Sequence, residues 1–330
     1  MPQLMGKEIG PIGYGLMGLT WRPEPQSDEE SFEAMKASLE AGCNFWNAGE
    51  LYGTTERNSL HLLNKYFTKY PEDADKVVLS IKGCLNLAKF CPDGSPEGVK
   101  KSVETCLRVL DGKKKIDIFE PARVDPKVPI ETTLKALVPF VDSGDIGGIS
   151  LSEVSAATIH RAVKVTKIVG CEVELSLWSL DILSNGVAAA CAEHNIPVVA
   201  YSPIGSGMLT GQIRSLDDVP ENDMRRGLPR FQPENFGKNL ELVHKLEEFA
   251  RERGCTAPQL AISWARQLSK RDGNPEIIPI PGATKVDRVV ENAKMVDLTS
   301  SELSAINDIL KSFEVAGARY SAHIAAWAEG

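Results

Sequence analysis

The chain has 330 residues, of which 42% are hydrophobic and 25% charged, enough apolar material for a full core and too much for the disordered, collagenous or fibrous classes. Its net charge is −8, with no basic run longer than residues 113–115, so little is available to neutralise a polyphosphate backbone and no nucleic-acid partner is expected. Seven cysteines stand singly with no CxxC pair, and no stretch of 18 uninterrupted apolar residues occurs. These features predict neither a disulfide framework nor a structural zinc nor a membrane span, and they favour a reducing compartment: the cytoplasm, with the nucleus second.

Taken in chain order, short β-branched runs alternate with amphipathic helical patterns. A first strand over 10–15 precedes a helix over 28–40, opened by the capping-box pattern Ser27 to Glu30 and closed by Gly42. Strand 44–47 is followed by helix 58–69. Strand 77–82 leads to helix 96–110, where Ser95-Pro96 marks the start. The pattern continues with strand 116–120 and helix 130–141, strand 146–150 and helix 156–165, and strand 171–175 and helix 179–193. Strand 198–201 precedes a long helical block over 239–266, and strand 277–280 precedes helix 287–296. Eight strand–helix units call for a parallel sheet and suffice to close it, which predicts an α/β fold of the (β/α)8 TIM-barrel type over 1–330 as one domain. Residues 210–235 have no clean period, and a loop of that length is usually functional. A last helix capped by Thr299 runs to about Lys311, leaving 312–330 as a C-terminal tail expected near the barrel mouth.

An open, doubly wound sheet is the competing fold. Gly13-Tyr14-Gly15-Leu16-Met17-Gly18 fits the spacing of a dinucleotide-binding turn. Pro23 and Pro25 follow too soon for this segment to continue as the helix that would hold a pyrophosphate, so the barrel is preferred.

In a parallel barrel, chemistry gathers at the C-terminal ends of the strands. Those ends carry Asn47 and Tyr52, Lys82, Ala122 and Arg123, Ser152 and Glu153, Glu172 and Glu174, and Tyr201-Ser202-Pro203. A tyrosine and a lysine converging on one mouth can act as a proton donor, because a nearby ammonium stabilises the phenolate. The spacing alone equally allows a rim aromatic and a solvated strand end.

Five blocks resemble the aldo-keto reductases in order and spacing: Trp46-Asn47-Ala48-Gly49-Glu50-Leu51-Tyr52-Gly53, Ser80-Ile81-Lys82-Gly83, the run from Asp117 to Asp125, the run from Tyr201 to Gly207, and Ile280-Pro281-Gly282-Ala283-Thr284 with Arg288, Glu291 and Asn292. The likeness runs from about Gly10 to Leu310. Within that family, the run from Gly15 to Pro23, Asn47-Ala48-Gly49-Glu50, Ala122-Arg123-Val124-Asp125, the run from Val128 to Thr133 and the late Arg319-Tyr320 resemble most the fungal pyridoxal reductases.

The resemblance implies hydride transfer from NADPH to the carbonyl of a small-molecule aldehyde, pyridoxal to pyridoxine in that branch, with Tyr52 as proton donor assisted by Lys82. Asn47 stands where the family has Asp, and Ala122 where it has His. An Asp would hold the Lys82 ammonium in an ion pair, whereas Asn offers only a hydrogen bond, so Lys82 is expected to stand unpaired and to polarise Tyr52 more strongly. Ala122 leaves room for a substituted aromatic aldehyde, with Arg123 or a water as the remaining donor to its carbonyl.

For the cofactor, the resemblance implies Trp21, Ser152, Glu172 and Tyr201 around the nicotinamide, and Ser202, Ile204, Gly207 and Leu209 along the pyrophosphate. It places Gly282, Thr284, Arg288, Glu291 and Asn292 at the adenosine end, where Arg288, with Lys285 nearby, suits a 2′-phosphate. Gln212 replaces a common lysine, and Arg214 or the Arg225-Arg226 pair is expected to take over that contact. Trp46, Trp178 and Tyr320 are expected to line the substrate pocket with Ala122 and Arg123. The five histidines (His61, His160, His194, His244, His323) form no i, i+4 pair, so no metal is expected. Two other functions fit the same fold: a reductase of another aldehyde or ketone in a biosynthetic pathway, and a nucleotide-sensing subunit similar to the potassium-channel β-subunits. Oligomeric state is not legible in the sequence.

Overall fold

The computed structural model describes residues 2–328; Met1 and the last two residues of the expected tail lie outside the described residues. The chain opens with a hairpin of β1 (Gln3–Leu4) and β2 (Lys7–Glu8). The barrel strands follow as β3 (Tyr14–Gly15), β4 (Phe45–Gly49) and β5 (Val78–Gly83), then, after a small hairpin of β6 (Leu85–Asn86) and β7 (Cys91–Pro92), β8 (Ile118–Pro121), β9 (Ile149–Ser152), β10 (Ile168–Glu174), β11 (Val198–Tyr201) and β12 (Ile277–Pro279). These eight strands form one parallel sheet in sequential order.

The sheet closes on itself. Gly15 bridges Gly282, the Gly13 amide donates to the Pro279 carbonyl at 2.8 Å, and the Gly15 amide to the Pro281 carbonyl at 3.2 Å. A Cβ at Gly13 would lie 2.6 Å from the Phe45 carbonyl oxygen, so only glycine fits this seam. Two of the glycines that mimic a dinucleotide-binding turn, Gly13 and Gly15, thus close the barrel, and the third, Gly18, lies in α1 (Met17–Thr20), which is a single turn.

The helices α2 (Asp28–Glu40), α3 (Ser59–Lys69), α4 (Pro96–Leu110), α5 (Ile130–Asp142) and α6 (Ala156–Ala162) fall where the sequence pattern puts them. The expected capping box is present: the Ser27 hydroxyl accepts from the Glu30 amide at 3.2 Å, and the Glu30 carboxylate from the Ser27 amide at 3.1 Å. Two expected helices divide. Residues 179–193 become a short 3-10 turn (Asp181–Leu183) and α7 (Val187–Glu193), because Gly186 sits at φ +91°. The block 239–266 becomes α8 (Pro233–Arg253) and α9 (Ala257–Gln267), with Gly254 left-handed between them and a Thr256/Gln259 capping box restarting the helix. The chain ends with α10 (Val286–Ala293), α11 (Ser300–Lys311) and α12 (Ala322–Ala325). The stretch expected to be a functional loop is a series of 3-10 turns between Gly205 and Phe231. Among the described residues no helix is long and apolar enough to cross a membrane.

The core has two parts. A larger cluster, including Trp46, Tyr66, Phe67, Phe119 and Trp264, fills the layer between sheet and helices. A smaller one, of Leu4, Ile9, Phe45, Val78, Ile118, Val199, Ile278 and Ile280, fills the barrel's interior below the mouth. Leu4 and Ile9 bring the N-terminal hairpin into that inner cluster. Side chains alternate between the two along each strand: Phe45 faces in and Trp46 out, Val78 in and Leu79 out, Ile118 in and Phe119 out.

Candidate active site

Above the inner apolar cluster, the same alternation turns polar side chains inward. Register pairs Asn47 with Ser80, Gly49 with Lys82, Lys82 with Glu120 and Ser152 with Glu172. All of Asn47, Lys82, Glu120 and Glu172 are buried. Lys82 forms a very short ion pair with Glu172, and its Nζ lies 3.8 Å from Glu120. The Asn47 amide donates to Glu172 Oε2 at 2.6 Å and to Glu120 Oε1 at 3.3 Å. The expectation of an unpaired Lys82 is therefore corrected: Glu172 supplies the carboxylate that Asn47 lacks. Of the two Glu172 oxygens, one accepts from Lys82 and one from Asn47. Burial pulls the Lys82 pKa down, but Glu172, Tyr52 and Glu120 outweigh it and hold the group as ammonium.

Tyr52 stands on the loop after β4. Thr20 Oγ1 donates to its carbonyl at 2.7 Å, and its ring stacks on Trp21 with centroids 5.8 Å apart. Burial pushes the phenol's pKa up, against the pull of Lys82 and with support from Glu172 and Glu120, so Tyr52 carries its proton at neutral pH. Trp21, Tyr52, Lys82 and Asn47 thus come together at the mouth. Ala122 is buried, and Arg123 beside it donates from Nη1 to the Ala122 carbonyl at 2.6 Å while its guanidinium lies 5.7 Å from the Tyr320 ring centre.

Trp46 does not join them. It is fully buried in the outer layer, its indole N–H shared between Ser38 Oγ and the Cys43 carbonyl at 3.0 Å each, and it packs against Tyr66 and Phe67. Its place in the substrate pocket is corrected, and strand parity explains why: with Asn47 facing in, its neighbour faces out. Parity also finds what reading strand ends misses. Glu120 lies inside β8, two residues before Ala122 and on the same inward face.

The far wall is built from the tail. Arg319 pairs with Glu153 at 2.9 Å, Glu174 at 3.1 Å and Asp181 at 3.7 Å. Tyr320 makes a very short hydroxyl contact with Tyr201, and Lys82 Nζ lies 5.5 Å from the Tyr201 ring centre. Asn239 clamps Ala316 through both its amide and its carbonyl, at 2.9 and 2.8 Å, and Gly317, at φ +84°, passes so close to Pro229 that a Cβ would lie 2.9 Å from the Pro229 carbonyl oxygen. Trp178 completes this wall beneath Arg230, whose Nη1 donates to the Trp178 carbonyl at 2.7 Å. Burial raises the Glu153 pKa, but Arg319 outweighs it and holds the carboxyl below its usual range. Replacing Arg319 by Met is expected to release the tail, with chymotrypsin cutting after Tyr320 in the variant at least tenfold faster than in the parent chain; equal cutting would show that Asn239, Tyr201 and the Pro229 contact suffice to hold it.

Several side chains fit NADPH. Ser152 Oγ is buried and has no hydrogen-bond partner among the described residues, a donor and acceptor available to a carboxamide. Main-chain φ is positive at Ser202, Gly205, Ser206 and Gly207, a sharply turned segment in which Ile204 begins the 3-10 turn and Leu209 sinks its side chain into the core. Of the arginines expected to replace a lysine at Gln212, Arg214 is forked onto Glu247 at 2.6 and 2.9 Å, and Arg226 donates to the Val219, Pro220 and Leu216 carbonyls. Arg225 alone of the three reaches this segment, donating to the Ser206 carbonyl at 3.1 Å while forked onto Asp223. Gly282, Thr284, Arg288, Glu291 and Asn292 gather on the loop after β12 and on α10. There Arg288 meets Glu291 at 2.6 Å, Arg22 donates to Thr284 Oγ1 at 3.2 Å, and Lys285 pairs with Glu30 at 3.0 Å.

The structure also joins two histidines that stand far apart in sequence. His160 Nδ1 and His194 Nε2 lie 2.9 Å apart, with Glu193 at 3.8 Å from His194. The two rings satisfy one another by a direct hydrogen bond on the outer helical layer, remote from Tyr52.

A family model described as "Aldo/keto reductase family" matches residues 11–311. A Schizosaccharomyces pombe protein named "Probable pyridoxal reductase 2" is 42% identical, covering 97% of this chain and 97% of its own. A Saccharomyces cerevisiae protein, also named with a qualifier as a pyridoxal reductase, is 41% identical over 93% of this chain and 95% of its own. In fold, the chain is similar to the solved glycerol dehydrogenase of Gluconobacter oxydans, with a TM-score of 0.81 at 23% identity over 94% of this chain and 95% of that one.

Proposed function

Since the chain belongs to the aldo/keto reductase family and is an NADP-dependent oxidoreductase, we propose that it reduces pyridoxal to pyridoxine with Tyr52 as the proton donor. One observation carries the reading: a protonated, buried Tyr52 stands in the field of Lys82, in the same mouth as Arg123 and the buried Ala122. The names of the two fungal relatives support the choice of substrate.

Bound NADPH supplies the hydride. The remaining work belongs to the protein. Ser152 Oγ would meet the carboxamide, and Tyr201 would offer its ring face to the nicotinamide. As negative charge grows on the carbonyl oxygen, Tyr52 passes it the phenolic proton, and the Lys82 ammonium stabilises the phenolate left behind. Arg123 supplies the second donor to that oxygen, in place of the histidine absent at Ala122; its Nη1 gives up the contact with its neighbour's carbonyl to do so. Trp21, Trp178 and Tyr320 exclude water from the reacting atoms. Arg225 lies closest to the pyrophosphate segment, and Arg288 takes the adenosine 2′-phosphate.

The purified chain mixed with NADPH and pyridoxal is expected to consume the reduced-nicotinamide absorbance and form pyridoxine stoichiometrically. Turnover with other aldehydes or ketones but not pyridoxal would replace the substrate and keep the chemistry. NADPH binding with no turnover on any carbonyl would favour the sensing subunit.

A further inference from the structure

The interior of the barrel holds one more acid than Lys82 needs. Glu120 on β8 and Glu172 on β10 are each only 1% exposed. The groups facing them are Lys82 from β5, Asn47 from β4, Ser150 from β9 and the Tyr52 phenol. Among these, Lys82 is the sole cation. Two ionised carboxylates and one ammonium would leave a net negative charge in a buried interior, which is strongly unfavourable unless a proton neutralises it. The Asn47 amide spans the two carboxyl groups with one nitrogen, fixing them side by side. Burial and the neighbouring Glu172 both push the Glu120 pKa well above the carboxylate range.

We propose that Glu120 and Glu172 hold a single proton between them, so that the pair presents one negative charge to Lys82 and acts as a positioning unit for the Lys82–Tyr52 couple. Glu172 bears the charge and Glu120 donates the shared proton to it. Asn47 belongs to the same device: an aspartate there would bring a third acid into a space with one cation, whereas the amide donates to both acids and adds no charge. The consequence for Tyr52 follows from sign. While the proton is held, the charges of Lys82 and Glu172 offset each other and a phenolate at Tyr52 is tolerated. When alkali removes it, a second carboxylate charge appears beside Lys82 and the phenolate is disfavoured, so proton donation slows.

The pH-profile part of this inference rests on the reductase reading; the shared proton does not. The test is therefore infrared spectroscopy on protein labelled with 13C-glutamate, at neutral pH and without substrate. Glu50 and Glu174 are also pushed up by burial, so the readout is the difference between variants. Glu120→Gln is expected to remove one carboxylic-acid band. Glu172→Gln is expected to remove the same band, because the single acid left beside Lys82 ionises. A band that survives Glu172→Gln would show that burial alone holds the proton and would overturn the sharing, as would a parent spectrum that loses nothing in Glu120→Gln. If Glu120→Gln does not fold, Glu172→Gln and Glu120→Asp, which keeps the band, decide the matter. With an active substrate, Glu120→Gln moves the alkaline limb of kcat upward by about one pH unit or more, and an unmoved limb refutes the link to Tyr52. Absence of all reductase activity would remove the pH arm and leave the infrared result standing.

Discussion

Tyr52→Phe is expected to lower kcat by about 10²- to 10⁴-fold, the usual contribution of a positioned general acid. The substitution removes one oxygen and leaves the rest in place. The ring still stacks on Trp21, and the loop is held through the Tyr52 carbonyl by Thr20, so NADPH affinity and thermal stability should stay near those of the parent. Single-turnover decay of reduced-nicotinamide absorbance, set beside a fluorescence titration with NADPH, separates the two effects. A variant that keeps its rate would remove Tyr52 from the mechanism, and one that loses rate and cofactor binding together would point to a disturbed pocket.

Lys82→Met should harm the fold as well as the rate. Lys82 is the sole cation among the groups facing the acid pair, and removing one partner of a buried ion pair typically costs about 3–5 kcal/mol because the other charge is stranded. Denaturant titrations of variant and parent at neutral pH should show this loss. Adding Glu172→Gln to Lys82→Met is expected to restore much of the stability and none of the rate. Additive losses in the double variant would mean that the pair is not the source of the cost.

Local chemistry was legible in this chain, and long-range pairing was not. Ser27 and Thr299 announce their helices because a cap and its partner lie three residues apart. Gly186 and Gly254 also signal breaks, yet the hydrophobic period runs across both and reads as one helix unless the glycines are given more weight than the period. Trp46 shows a different failure. Its motif block is right, but motif membership says nothing about which face of a strand a side chain takes, and only parity with Asn47 does. The partner of Lys82 lies beyond any such rule. Glu172 reaches it from another strand through the middle of the barrel, as Arg319 reaches Glu153 from the far end of the chain, and charge balance in a closed interior depends on every strand at once.

The seam between β3 and β12 governs how the protein comes into being. It joins the two ends of the barrel through a two-residue strand and a few main-chain bonds. A chain emerging from the ribosome makes Tyr14–Gly15 early and must wait for Pro279–Gly282 before the ring can shut. Until then the open border of the sheet stays available to neighbouring chains, and the pairing that shuts the ring joins residues from nearly opposite ends of the sequence, a non-local contact of the kind that slows folding.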